Sequence, residues 1–167
     1  MTGASLHGAD LSGAKMTSAC LHRAHLLGTD LTGARFLAAD LSQVVAQRAA
    51  FCNADLSSAD LSHAELQRAD VSGAHFGTAN LTGVSLRDAN LSGALFGKGT
   101  RSTGSDTRVS ETIVARVTQA QLDEARSDPN NPPKIDPAVV DAETGAPLVW
   151  RGKVLSELPG GCGPIGA

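Results

Sequence analysis

The sequence predicts a solenoid of stacked short repeats followed by a small appendage, and three observations carry that expectation. Every fifth residue from Leu6 to Phe96 is apolar, and all four phenylalanines fall in this frame. Two residues before each of these centres lies a small residue, Ala4, Ala9, Ala14, Ala19, Ala24 and onward to Ala94, broken only by Thr29, Val44 and Val84. After Phe96 the frame stops and a glycine-rich polar stretch begins. A period of five fits neither the 3.6 residues of a helix nor the two of an open strand. Units this short bury no apolar face alone, so each must complete the core of its neighbours.

The repeating phrase is A-(D/N)-L-(S/T)-G, as in Ala9-Asp10-Leu11-Ser12-Gly13, Ala79-Asn80-Leu81-Thr82-Gly83 and Ala89-Asn90-Leu91-Ser92-Gly93. In these residues the chain resembles the pentapeptide-repeat family over its first three fifths. The resemblance implies an all-β fold, a right-handed quadrilateral parallel β-helix with one pentad per side, the central residue and the preceding alanine pointing inward. A narrow shaft has room for one large side chain per side, which places Leu31, Phe36, Phe51, Leu56, Leu61, Phe76, Leu81, Leu91 and Phe96 in the core. Gly8, Gly13, Gly28, Gly33, Gly73, Gly83 and Gly93 share one pentad position, where a corner calls for the positive φ that glycine adopts cheaply. Four pentads per coil give just under five coils and a shaft about 24 Å tall, at ~4.8 Å per coil.

Strict rotation sorts the pentads onto four sides. The first is centred on Leu6, Leu26, Ala46, Leu66 and Leu86, the second on Leu11, Leu31, Phe51, Val71 and Leu91. The third is centred on Met16, Phe36, Leu56, Phe76 and Phe96, the fourth on Leu21, Leu41, Leu61 and Leu81. Ala46 is the odd member of its column. Because a core leucine-to-alanine change costs about 2 to 5 kcal/mol, a void or a deformed coil is expected between Gln43 and Ala50.

Composition bounds the function. The chain has 167 residues, enough for one domain and an appendage, and a net charge of -3. With no tyrosine and one tryptophan it lacks stacking platforms for bases, so direct nucleic-acid binding is not expected. Cys20, Cys52 and Cys162 lie far apart and suggest no disulfide framework, which fits a reducing cytoplasm. The repeat begins at once, leaving no room for an export signal, and no apolar run approaches a membrane span. His22 and His25 near Cys20 have superficially metal-like spacing, but a corner separates their pentads, and no cofactor or metal is expected. No Ser, His and Asp constellation points to catalysis.

Two outward features bear on binding. Asp10, Asp30, Asp70 and Asn90 make a polar ladder on the second side, and Asp40, Asp60 and Asn80 another on the fourth. The resemblance brings with it acidic faces that imitate DNA toward type II topoisomerases, although the same ladder follows from the repeat consensus. The second feature is apolar: Leu27, Leu37, Val45 and Leu95 occupy outward positions. Leu27 and Val45, with Arg48 and Arg68 beside them, form a candidate protein-binding patch.

The organisation along the chain is then repeats over 1–97, a linker over 98–108, an appendage over 109–158 and a glycine-rich tail over 159–167. Val109 to Val117 suits a strand or the start of a helix. Thr118 opens a capping box in which Gln121 reaches back, with a helix from Gln119 to Arg126. The structural role expected of it is to cover the apolar top coil with Val117 and Leu122. Ala138-Val139-Val140-Asp141 and Pro147-Leu148-Val149-Trp150 flank a turn and suggest a β-hairpin, with Trp150 as its anchor onto the shaft, another chain or a partner and so a candidate partner-binding residue. Leu155 to Gly161 looks like the end of a double-glycine leader, which makes Cys162 a candidate modification site within a core peptide ending at Ala167. The functional expectation is a non-enzymatic scaffold that binds a protein partner. Its alternatives are a precursor acted on by a peptide-modifying enzyme and a DNA-imitating topoisomerase modulator. The first coil, with no cap in front of it, suggests a homodimer through that end.

Overall fold

The computed structural model describes residues 1–102, 110–114, 119–127, 130–135, 144–151 and 153–154. From Ser5 to Leu95 the chain winds as a β-helix in which parallel bridges pair each residue with the one 20 positions on: Ser5 with His25, Asp10 with Asp30, Lys15 with Arg35, Cys20 with Asp40. One bridge per pentad and four pentads per turn give the shaft its sides. Each bridge carries two bonds: the Leu6 N–H donates to the His25 carbonyl and the His25 N–H to the Ala4 carbonyl, both at 2.8 Å.

Between bridges lies a hydrogen-bonded turn. The Ala9 N–H donates to the Leu6 carbonyl at 3.1 Å, and Ala14 to Leu11 at 3.0 Å. The residue before each such alanine has positive φ, as a type II turn demands of its third member. Glycine supplies it at Gly8 (62°) and Gly83 (67°), but Arg48 (58°), Arg68 (61°) and Asp88 (57°) adopt it too. A corner therefore imposes its conformation on any side chain there, at a cost of roughly 1 to 2 kcal/mol for a non-glycine residue.

The core is the column of centres and alanines. Leu31, Phe36, Phe51, Leu56, Leu61, Phe76, Leu81, Leu91 and Phe96 are all buried. The Phe76 and Phe96 rings stack with centroids 5.1 Å apart, and Phe36 meets Phe51 at 6.0 Å. Thr29, which interrupts the alanine series, is fully buried and satisfies its hydroxyl on the Leu6 carbonyl at 2.7 Å.

Around Ala46 the expectation of a deformed coil is corrected. Val45 bridges both His25 and Glu65, the Ala46 N–H donates to the Glu65 carbonyl at 2.9 Å, and Gln43 and Arg48 keep the same positive φ as other corners. The physical reason is that the backbone bonds set the coil, while Phe51 in the same coil and Phe36 in the one before bring extra bulk to the lumen.

The upper end is closed by the appendage. A two-residue strand β1 (Leu95–Phe96) is followed by β2 (Lys98–Ser102), which pairs antiparallel with β3 (Ser110–Val114). The segment read as a linker from residue 98 is thus a strand in its first five residues, because the backbone of 98–102 finds partners in 110–114. Helix α1 spans Gln119–Glu124, two residues shorter than expected, and Leu122 is fully buried. It ends where the chain turns into strand β4 (Arg126–Ser127), whose Arg126 continues the ladder above Asn90. Strand β5 (Lys134–Ile135) pairs parallel with β1, and β6 (Lys153–Val154) with β4.

The Ala125 N–H donates to the Leu122 carbonyl at 3.2 Å, as Ala89 does to Leu86 at 2.9 Å, so Leu122 to Ala125 behaves as a further pentad on the first side. Gln121 ties the helix to the top of the shaft. Its amide donates to the Leu81 and Val84 carbonyls at 2.9 Å each, in the place of the donors a further coil would bring. Gln119 clamps residue 149 in both directions, donating to the Val149 carbonyl at 2.7 Å and accepting its N–H at 2.9 Å. Thr118, Val117 and the first arm of the proposed hairpin lie outside the described residues.

Candidate partner-binding groove

Most outward aspartates are occupied with their own turns. Asp10 accepts the Ser12 N–H at 3.0 Å, Asp30 that of Thr32 at 2.9 Å, and Asp40, Asp55, Asp60 and Asp70 repeat the bond two residues on. The D/N-x-S/T element of the repeat is therefore an Asx turn that fixes the approach to each corner. Rungs form between coils as well: Asn80 donates to Asp60 at 3.0 Å and Asn90 to Asp70 at 3.1 Å.

The first side is built differently. The positions just before its centres hold Ser5, His25, Val45, Glu65 and Ser85, and those just after hold His7, Leu27, Gln47, Gln67 and Arg87. In none of its pentads does the D/N and S/T pair occur. Without the Asx bond the following side chain is long and free to shape the surface. The result is a groove of about 410 Å³. One wall is the column Leu27, Gln47, Gln67 and Arg87, and the other is Arg48, Arg68 and Asp88 at the corners of successive coils.

Coil stacking sets the spacing of those corners: the Arg48 N–H donates to the Gln67 carbonyl at 3.2 Å and the Arg68 N–H to the Arg87 carbonyl at 2.9 Å. Charge in the groove is unbalanced. Asp88 is held by Arg126, and Gln47 donates to Glu65 at 2.5 Å, whereas Arg48 and Arg68 form no ion pair among the described residues. Leu27 is 42 % exposed at one end. Gln67 Oε1 is buried without a hydrogen-bond partner, the single such side-chain atom among the described residues. A buried acceptor left unpaired costs about 1 to 3 kcal/mol, so the site is incomplete as it stands.

Of the residues proposed from sequence, the structure brings Leu27, Arg48 and Arg68 together. Val45 is half-buried between His25 and Glu65 and does not line the groove. Trp150 packs partly buried against the hydrophobic core, away from the groove lining. Val45 lies apart from the groove because a residue before a centre points to a different part of the surface from a residue after it. Sequence reasoning missed Gln47, Gln67, Arg87 and Asp88, although the absent D/N and S/T pair on every first-side pentad was there to be read.

Cys162 lies outside the described residues. Cys52 is buried and disulfide-bonded, which corrects the reading that the cysteines make no disulfide, since distance along a coiled chain says little about distance in space. Cys20 is an exposed free thiol. The Thr2 hydroxyl beside it, at 3.3 Å, holds its pKa below the usual thiol range, with help from the His22 backbone. His22 bonds Ser42, which donates to Asp40, so this histidine serves a polar network, and no metal-ligating cluster occurs among the described residues. No described helix is long and apolar enough to cross a membrane.

Comparison with a family model agrees with the repeat pattern. The family model for pentapeptide repeats matches eight copies, over residues 1–33, 19–57, 34–73 and 59–97. No curated protein matches the chain. Among solved structures, the chain is similar to the pentapeptide repeat protein Rfr23 from the cyanobacterium Cyanothece 51142, with 27% identity over 56% of this chain and 74% of that one and a TM-score of 0.40. It is similar to HetL, a pentapeptide repeat protein involved in heterocyst differentiation regulation from Nostoc sp. strain PCC 7120, with 24% identity over 88% and 67% of the two chains and a TM-score of 0.35. It is similar also to trypsin-treated QnrB1, a plasmid-mediated fluoroquinolone resistance protein, with 16% identity over 91% and 80% and a TM-score of 0.42. The chain belongs to the pentapeptide-repeat family.

Proposed function

We propose that this protein is a non-enzymatic scaffold whose first side docks a protein partner in the groove between Leu27 and Asp88. The observation that carries the reading is the coincidence, on one side, of a concave surface, Arg48 and Arg68 without an ion pair among the described residues, and the unsatisfied Gln67 Oε1. A merely structural face satisfies its own polar groups, as the aspartates of the second and fourth sides do. That same satisfaction weighs against a face that imitates DNA, because those carboxylates are already bonded to their own turns.

The precursor reading, with Cys162 as the modified residue, rests on sequence alone. A mass shift confined to residues 162–167 after expression with a modifying enzyme is its test. Stacking of a second copy on the first coil has support from the half-buried Leu6, Leu11 and Met16 at that end.

The docking reading is tested by placing a photo-crosslinking residue at Leu27 or Gln47 and, as a control, at Thr17 on the third side. Crosslinks to a protein from the first-side positions alone are expected. Crosslinks from Thr17 alone, or from neither side, overturn the proposal.

A further inference from the structure

Resting on the docking reading, we infer that the groove is made for an extended acidic segment, a short run of alternating carboxylates led by an apolar residue and lying along the shaft axis. The argument starts from the direction of the groove. Its two walls run up the shaft from the second coil to the fifth, crossing the strands. The backbone groups of those coils are already paired with one another, so a ligand there gains nothing by adding a strand and must be held by side chains.

The side chains on offer are cationic. Arg48 and Arg68 sit one coil apart with no partner among the described residues, and Arg87 follows in the next coil, its side chain 76% exposed. Asp88 is shared between Arg126, at 2.6 Å from Oδ1, and Arg87, at 4.0 Å from Oδ2, and forms no ion pair with Arg48 or Arg68 among the described residues. Guanidinium forks recognise carboxylates through paired, charge-assisted hydrogen bonds. Coils rise ~4.8 Å each, and alternate residues of an extended chain lie roughly 6.7 Å apart on one face, a mismatch small enough for flexible arginine side chains to absorb.

Two further contacts set direction and backbone. Leu27 marks the lower end of the groove and offers apolar surface to a single apolar side chain. Gln67 Oε1, buried midway without a partner, gains a donor from a main-chain N–H of an extended segment once the side chain turns outward into the groove. From Leu27 to Arg87 spans three coil steps, about 14 Å, or four to five residues of extended chain. An acidic helix presents its carboxylates on a different spacing and keeps its N–H groups internal, so it leaves Gln67 unsatisfied.

The test is fluorescence anisotropy on the full chain with three probes: a labelled peptide of leucine followed by alternating glutamate and glycine, the same peptide with glutamine for glutamate, and a labelled DNA duplex. The variants are Arg48→Gly and Arg68→Gly, singly and together. Both positions have positive φ, where Gly8 and Gly28 stand on the same side, so the variants are expected to keep or raise the melting temperature. Saturable binding of the glutamate peptide is expected, weakened by salt, absent for the glutamine peptide, and reduced about threefold to tenfold for each arginine removed. Equal binding of the two peptides, or binding of the duplex in place of the peptide, overturns the inference. If the glutamate peptide fails while the crosslinked partner still depends on Arg48 and Arg68, the acidic assignment falls and the docking reading stands. If the double variant changes neither, both fall.

Discussion

Arg126 grips Asp88 by one carboxylate oxygen, with Nε at 2.8 Å and Nη2 at 2.6 Å from Oδ1. The two residues are 38 positions apart in sequence, one at the last corner of the first side and the other at the start of strand β4. The pair fastens the appendage to the upper rim of the groove. The other carboxylate oxygen of Asp88, Oδ2, lies 4.0 Å from Arg87 Nε, so Asp88 is shared between the two arginines.

Breaking that pair should loosen the cap before it unfolds the shaft. Arg126→Ala is expected to cost about 1 kcal/mol, since Arg126 is partly exposed and solvent screens the bond. Hydrogen exchange reports it directly: the Asp88 and Leu91 N–H groups, which donate to the Glu124 and Arg126 carbonyls, should lose protection while Leu31 and Leu41 do not. Uniform protection across the chain would show that the pair plays no part in holding the cap.

Ala46→Leu restores the repeat consensus at the one small centre, and is expected to destabilise. The coil around Ala46 is regular and the lumen nearby already holds Phe36 and Phe51 in contact, so extra methylenes overpack it at about 1 to 3 kcal/mol. Denaturant unfolding measures the change. A gain in stability would reveal unfilled space beside Ala46.

Acid stability should depend on Ser42. The Ser42 hydroxyl and N–H bond Asp40 and hold its carboxyl below the usual aspartate range. A group whose folded pKa is depressed contributes stability above its unfolded pKa, near 4, and that contribution fades as pH falls through the lower folded value. Ser42→Ala is therefore expected to move the acid unfolding midpoint to higher pH, read by circular dichroism, with little effect at neutral pH. An unchanged acid limb would sink the assignment.

Cys20 should alkylate faster at neutral pH than an ordinary surface thiol. Its lowered pKa traces first to the Thr2 hydroxyl, so Thr2→Val is expected to shift the pH–rate curve for iodoacetamide toward higher pH. Mass spectrometry without reduction assigns the adduct to Cys20, and Cys52, whose sulfur is held in a disulfide, should stay unlabelled. Identical curves for the two proteins would refute the role of Thr2.

The winding, the lumen residues and the corner conformation were legible in the sequence because each is set by interactions repeated every five residues. A leucine centre, an alanine beside the corner and a residue of positive φ leave the chain one way to stack. Part of the candidate site was legible for the same reason, since Leu27, Arg48 and Arg68 follow from counting pentads onto sides. The rest needed the wound chain. That Asp88 belongs to Arg126, that Gln121 serves the Leu81 and Val84 carbonyls, and that residues 98–102 pair with 110–114 are long-range facts without a period. Once the repeat ends, no local rule says which backbone groups still lack partners. Only the packed structure decides which tail residue meets them, because an unpaired group at the end of a solenoid takes whatever donor or acceptor the returning chain brings within reach.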